Sequence, residues 1–107
     1  MKERLKARVC ADIEKQRDRL IRLSLKIHSH PELGFKEKKA SEWLTRYLCG
    51  AGFTVEKGIC GLPTAFRAVY GSGHPVIVLI AEYDALPGVG HACGHNIIAA
   101  SSVGAAV

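Results

Sequence analysis

Between Lys2 and His28, apolar residues recur at Leu5, Val9, Ile13, Leu20, Leu23 and Ile27 among charged neighbours. That spacing places one stripe along a helix and predicts a single long amphipathic helix. Pro31 disfavours helical geometry at His30 and removes a backbone donor, and Gly34 adds a second break. A second helix is expected from about Phe35 to Cys49, burying Ala40, Trp43, Leu44, Tyr47 and Leu48, with GAG at 50–52 as its stop.

Beyond residue 52 the period changes. FTVEKGI, 53–59, and TAFRAVYG, 64–71, each predict a short strand, with GSGHP as the turn after the second. PVIVLIAEYD, 75–84, opens with an unbroken apolar run, which predicts a strand covered on both faces and therefore the centre of the sheet. A glycine-rich loop then leads into NIIAASSVGAAV, apolar or small on every side, as at the start of a helix meant for burial. Two helices, about three strands and the start of a buried helix make an α/β layer architecture. No cap, charge or further strand closes the last segment, so residues 1–107 read as the N-terminal portion of a larger domain.

Composition narrows the class. A chain of 107 residues, 48% hydrophobic and 23% charged, is one ordinary globular unit rather than a disordered or membrane-spanning one. Its longest aliphatic run, VIVLIA, is far short of the ~20 residues that cross a bilayer. MKERLKARVC has no apolar export core behind it, so a cytoplasmic location is expected, with Cys10, Cys49, Cys60 and Cys93 as reduced thiols. The first three have no neighbouring base and are read as packing residues. The net charge of +5 sits in residues 1–26, which hold nine Lys/Arg against four Asp/Glu. Both signs mix there with no interleaved aromatic, which describes a solvated helix face; neither a nucleic-acid nor a membrane partner is expected.

The candidate chemistry lies between positions 82 and 95, where Glu82, Asp84, His91, Cys93 and His95 gather. A thiolate and an imidazole two residues apart in an extended glycine-flanked loop would suit zinc or a similar divalent ion, with Asp84 or Glu82 adding an oxygen. The acids follow an apolar run, where open α/β sheets bind ligands at strand ends. Two loop ligands alone make a weak site. Cys93 as a nucleophile with His95 or His91 as base is a second reading, with Asp84 to orient the base. A tightly packed turn without chemistry is a third, in which the chain acts as a non-catalytic interaction module whose exposed sheet edges invite pairing. His28 and His30 flank a chain break and are read as polar helix-end residues, Glu32 as a surface or capping acid, and His74 as a solvent-facing turn residue.

Three features together resemble a known family. KIHSHPELGFKEKKASEWL, AEYDALPGVGHACGHNIIA and the VIVLIA run leading into the second segment are similar to the N-terminal region of metal-dependent amidohydrolases and metallopeptidases. Aminoacylases, hippurate hydrolases and auxin-conjugate hydrolases belong to that family. The short GVG link and Asn96 look most like the branch of dipeptidases that cleave Xaa-Arg and β-alanyl-lysine dipeptides. The resemblance implies the N-terminal part of a two-metal exopeptidase-like catalytic domain, with Cys93 and His95 as metal ligands and Asp84 as a catalytic aspartate. Glu82 stands where the aminoacylase branch has a ligand histidine, a departure that weakens the case for Glu82 as a ligand and gives the soft-ligand role to Cys93. Asn96 and Ile98 replace an aspartate and a histidine found in many relatives and are not counted as site residues.

The resemblance further implies two divalent cations, zinc or manganese, per full-length site and a small N-acyl amino acid or dipeptide as substrate. It implies a homodimer in the full-length form. The general-base glutamate, the remaining ligands and the dimerisation domain of the family lie outside these 107 residues, so the chain alone is expected to be inactive and to hold metal poorly.

Overall fold

The computed structural model describes all residues, 1–107, as an α/β unit of three helices and a two-stranded sheet. Helix α1, Lys2–Ser29, is the predicted long helix and sets the 48 Å long dimension of the molecule. Only its second half is covered. Leu23 and Ile27 are buried and Leu20 packs beside them, whereas Leu5, Val9 and Ile13, on the same stripe, face solvent. His30 closes the helix: its backbone N–H bonds to Ile27 O, and its ring Nδ1–H donates to Lys26 O at 2.9 Å. Its ring also stands edge-on against Trp43. The helix-end role expected of His30 is therefore observed.

Helix α2, Lys38–Gly50, starts three residues later than its sequence pattern suggests. Phe35 has φ of 69°, in the left-handed region, so the helix cannot begin there. Its first turn is instead held by Glu32, whose carboxylate accepts from Lys39 N at 3.0 Å and Ala40 N at 2.9 Å. A carboxylate at this end satisfies donors that have no partner within the helix and opposes the positive end of the helix dipole. Ala40, Leu44 and Leu48 form the buried face, with Trp43 and Tyr47 partly covered. Thr45, although polar, is buried because its hydroxyl donates back to Ser41 O at 2.8 Å.

Strands β1, Thr54–Lys57, and β2, Phe66–Val69, pair antiparallel with Thr54 opposite Val69 and Lys57 opposite Phe66. They are shorter than the alternating runs because a 3₁₀ turn, Ile59–Gly61, occupies the connection. Helix α3, His95–Ala106, lies against α1. Gly104 permits the close approach, since a Cβ there would sit 2.7 Å from Leu20 Cδ1. Asn96 Nδ2 adds a bond to Ser24 Oγ at 3.0 Å. Ala99, Ala100 and Val103 are buried, but Ile97 is exposed, so α3 is buried on one face rather than all round.

Two expectations fail. Residues 75–84 form no strand: Val76, Ile77, Val78, Leu79 and Ile80 make no backbone–backbone hydrogen bond, and all five are exposed. An apolar β-branched run supplies propensity, but a strand exists only as a partner's neighbour, and β1 and β2 are already paired with each other. Cys10, Cys49 and Cys60 are free but exposed, so they are not packing residues. Cys10 lies on the outer face of α1, Cys49 at the end of α2 and Cys60 in the 3₁₀ turn, all beyond the core's reach. No helix is long and apolar enough to cross a membrane.

Candidate active site

The two segments singled out in the sequence, HPELGF and EYDALPGVGHACGH, are brought together by backbone bonds. Ala85 N donates to Glu32 O at 2.7 Å, within a parallel bridge between Leu33 and Ala85. Leu86 and Gly90 exchange bonds of 2.9 and 3.2 Å around the Pro-Gly-Val turn. Tyr83 anchors the approach, with its hydroxyl donating to Thr64 O and its ring stacked on Phe66. Burial, followed by the nearby Glu37 carboxylate, pushes the Tyr83 phenol above its usual range. Asp84 is thereby held between two pinned neighbours, beside an open groove of about 280 Å³ that Gly34, Phe35, Glu37 and Thr64 also line.

The chain turns again at 92–93, and Gly94, with φ of 76°, takes a left-handed conformation that a side chain would strain. His95 is consequently the first residue of α3. Its Nδ1–H donates to Asp84 Oδ1 at 2.7 Å and lies 3.0 Å from Asp84 O, while its Nε2 stands 3.1 Å from Glu82 Oε2. Partial burial acts against the imidazolium, but the bonds to Asp84 and the charges of Asp84 and Glu82 outweigh it and raise the His95 pKa above the usual histidine value.

Glu82, Asp84 and His95 thus form one cluster, as the sequence suggests. Cys93 stands in the same loop, two residues before His95. The segment is a turn rather than an extended loop, and the Cys93 side chain is exposed. No three His, Cys, Asp and Glu side chains converge in a geometry that could hold a metal ion. The donors fit a borderline divalent cation in kind: an imidazole, a carboxylate beside it and a nearby thiol. They fit in tautomer as well, since an Nδ1–H fixed on Asp84 reserves Nε2 for a ligand bond. They fall short in number.

The thiol reading has less support. Both His95 nitrogens face carboxylates, and both nitrogens of His91 lack any hydrogen-bond partner, so neither ring is placed as a base for Cys93. The sequence offers His91 only as an alternative base for Cys93, and nothing there signals its burial. In the structure it is 7% exposed, with its ring centroid 6.2 Å from that of His28. Burial chiefly, then the neighbouring His28 and His95, lowers its pKa against the smaller opposing pull of the Asp84 carboxylate.

No protein-family model matches the chain. Curated proteins do. One subunit of the p-aminobenzoyl-glutamate hydrolase of Escherichia coli is 38% identical over 112 residues, covering 89% of this chain and 23% of the relative. A Xaa-Arg dipeptidase of Mus musculus is 41% identical over 116 residues, covering 98% and 27%. Thermostable carboxypeptidase 2 of Saccharolobus solfataricus is 35% identical over 111 residues, covering 89% and 28%. The chain therefore spans about a quarter of the length of the curated relatives it matches.

Proposed function

We propose, for a chain that belongs to the amidohydrolase and peptidase family of these relatives, that it supplies the N-terminal part of the catalytic domain of a metal-dependent enzyme. In the whole protein that enzyme hydrolyses the amide bond of N-acyl amino acids or dipeptides. The relatives' names point to small amide and peptide substrates, and the Xaa-Arg dipeptidase similarity extends over nearly all of the chain. The observation that carries the reading is the Glu82–His95–Asp84 cluster, built where the two resembling segments meet.

Within that cluster Asp84 holds the proton of Nδ1 and so orients the ring, leaving Nε2 and the Glu82 carboxylate facing each other 3.1 Å apart. The bonds to Asp84 and the charges of Asp84 and Glu82 raise the His95 pKa, so the protonated ring is stabilised relative to a free imidazole. To serve as a ligand, Nε2 would have to be free of its proton while Nδ1 keeps the other and donates it to Asp84 Oδ1. His95 and Cys93 are the assigned ligands, Glu82 a further donor, and Asp84 the catalytic aspartate. A bound divalent cation supplies polarisation of the scissile carbonyl and a water that ionises near neutral pH. Because these donors are too few for a closed site, the remaining ligands and the general base belong to other parts of the longer protein, whose homodimer and cytoplasmic location complete the proposal.

The test is a zinc titration of the chain followed by the His95 imidazole resonances. Weak binding that shifts His95, and that is lost in His95→Ala and weakened in Cys93→Ser, is expected. An unmoved His95 ring at millimolar zinc would overturn the assignment. The chain alone is expected to show no hydrolysis of Xaa-Arg dipeptides, whereas the longer protein is expected to lose activity to a chelator and regain it with added zinc or manganese.

A further inference from the structure

The open groove beside Asp84 has Phe35, Leu62 and Tyr83 as apolar walls, and Glu37 stands among them. Glu37 occupies the N-cap position of α2 but makes no side-chain cap, a task that falls to Glu32. Its carboxylate turns instead to Thr64, a buried residue of the same groove, whose hydroxyl donates to Glu37 Oε1 at 3.2 Å. Lys36 and Lys38 flank Glu37 in sequence, yet neither pairs with it, and no Lys, Arg or His lines the groove. The positive end of α2 steadies the charge but brings no donor to the second oxygen. A half-buried carboxylate beside apolar side chains is thus left short of a counter-charge, which is costly until a cation supplies one.

We propose that Glu37 is a specificity-determining residue, whose carboxylate receives the N-terminal ammonium of a dipeptide and so selects dipeptides over N-acyl amino acids. The inference rests on the amide-hydrolase reading above and deepens it. The two kinds of substrate share the scissile amide and differ at the acyl end. There a dipeptide carries an ammonium a short stem away from the carbonyl, whereas an N-acyl amino acid carries an alkyl or aryl group. The ammonium donates to the unpaired oxygen of Glu37 while its stem lies against Phe35 and Leu62. An alkyl end in the same place would strip water from the carboxylate and give nothing back. Asp84, at the catalytic end of the groove, is already engaged by His95 Nδ1–H, which leaves Glu37 as the acid without an ion partner.

The test uses the 107-residue chain without metal, titrated with glycylglycine and with N-propanoylglycine, which has a methyl where the dipeptide has its ammonium. The NMR resonances of Phe35, Leu62 and Thr64 report the groove. Glycylglycine is expected to shift them and to bind about fivefold or more tightly than its analogue, the ratio that the upper range for an exposed ion pair implies. Glu37→Gln keeps an acceptor for Thr64 and is expected to abolish that ratio while the urea midpoint stays close to the parent's. Nα-acetyl-lysine carries its ammonium on the leaving amino acid and is expected to bind no better than N-propanoylglycine. Equal binding of the two amides, a ratio that survives in Glu37→Gln, a preference for Nα-acetyl-lysine, or groove resonances unmoved on the order of tens of millimolar would each overturn the proposal. Such a failure leaves the zinc response of His95 standing, because this titration contains no metal. A His95 ring that ignores zinc would in turn remove the hydrolase reading without changing the binding ratio in the groove.

Discussion

Replacing Glu32 by alanine separates the two tasks that this residue performs. Its carboxylate accepts from Lys39 N and Ala40 N, and its backbone carbonyl accepts from Ala85 N. Loss of a capping side chain costs about 0.5–2 kcal/mol. A bond to a charged acceptor is worth about 1.5–3 kcal/mol, but here the two bonds share one half-buried carboxylate. The expected loss is therefore about 2 kcal/mol, a large share of the roughly 5–15 kcal/mol that a domain possesses. Glu32→Gln keeps an acceptor but not the charge, and is expected to lose about half as much. Urea unfolding followed by circular dichroism measures both, with an unchanged slope showing that stability alone has moved. Amide exchange at Lys39 and Ala40 should quicken in the alanine variant. Because alanine retains the backbone carbonyl that pins Ala85, the titration of His95 is expected to stay where it is. An alanine variant within 0.5 kcal/mol of the parent, roughly the range of an ordinary surface substitution, would refute the capping argument. A shifted His95 would refute the separation of the two tasks.

Leu44 is fully buried in the core between α1, α2 and α3, so Leu44→Ala is expected to cost about 2–5 kcal/mol in the same unfolding assay. Asp84→Asn removes the acid that favours the His95 imidazolium, and NMR titration should then show the His95 pKa lower than in the parent. In the parent, the raised His95 pKa contributes stability that is fully present below the unfolded histidine value and is lost as pH rises through the folded one; Asp84→Asn should flatten that part of the pH–stability profile. His91 has the opposite sign: its lowered pKa contributes stability present above the unfolded value and lost as pH falls through the folded one. His91→Leu, which replaces two unpartnered ring nitrogens with carbon, is expected to be neutral or stabilising near pH 7, and a loss above about 1 kcal/mol would refute this. Gly104→Val should destabilise by about 1–3 kcal/mol through collision with Leu20, and Leu20→Ala in the same chain should recover part of that loss.

The helices were legible because their apolar spacing is a local property, and Pro31 and Gly34 punctuate them at the right place. The hairpin was legible from its alternation and turns. Residues 75–84 were misread because apolarity reports a wish for cover, while a strand requires a partner that no other segment of this chain provides. The same limit applies to Leu5, Val9 and Ile13, whose periodicity continues that of the buried residues but whose end of α1 nothing packs against. At the site, the residue types identified Glu82, Asp84 and His95, and the structure joins those three. The spacing of Cys93 and His95 suggests an extended loop, whereas the structure has a turn at 92–93 closed by the left-handed Gly94, with Cys93 exposed. The burial of His91 comes with its placement beside His28 at the end of α1, a tertiary fact that no spacing within HACGH encodes.

His95 opens α3, the helix whose Asn96 is tied to Ser24 and whose Ala99 and Val103 belong to the core. Any ligand that grips His95 in the folded chain and ignores it in the unfolded one therefore draws on the folding equilibrium of the whole unit. At a hundred times its dissociation constant such a ligand adds about 2.7 kcal/mol. The melting temperature then becomes a gauge of occupancy at this one ring, readable when no chemical step can be observed.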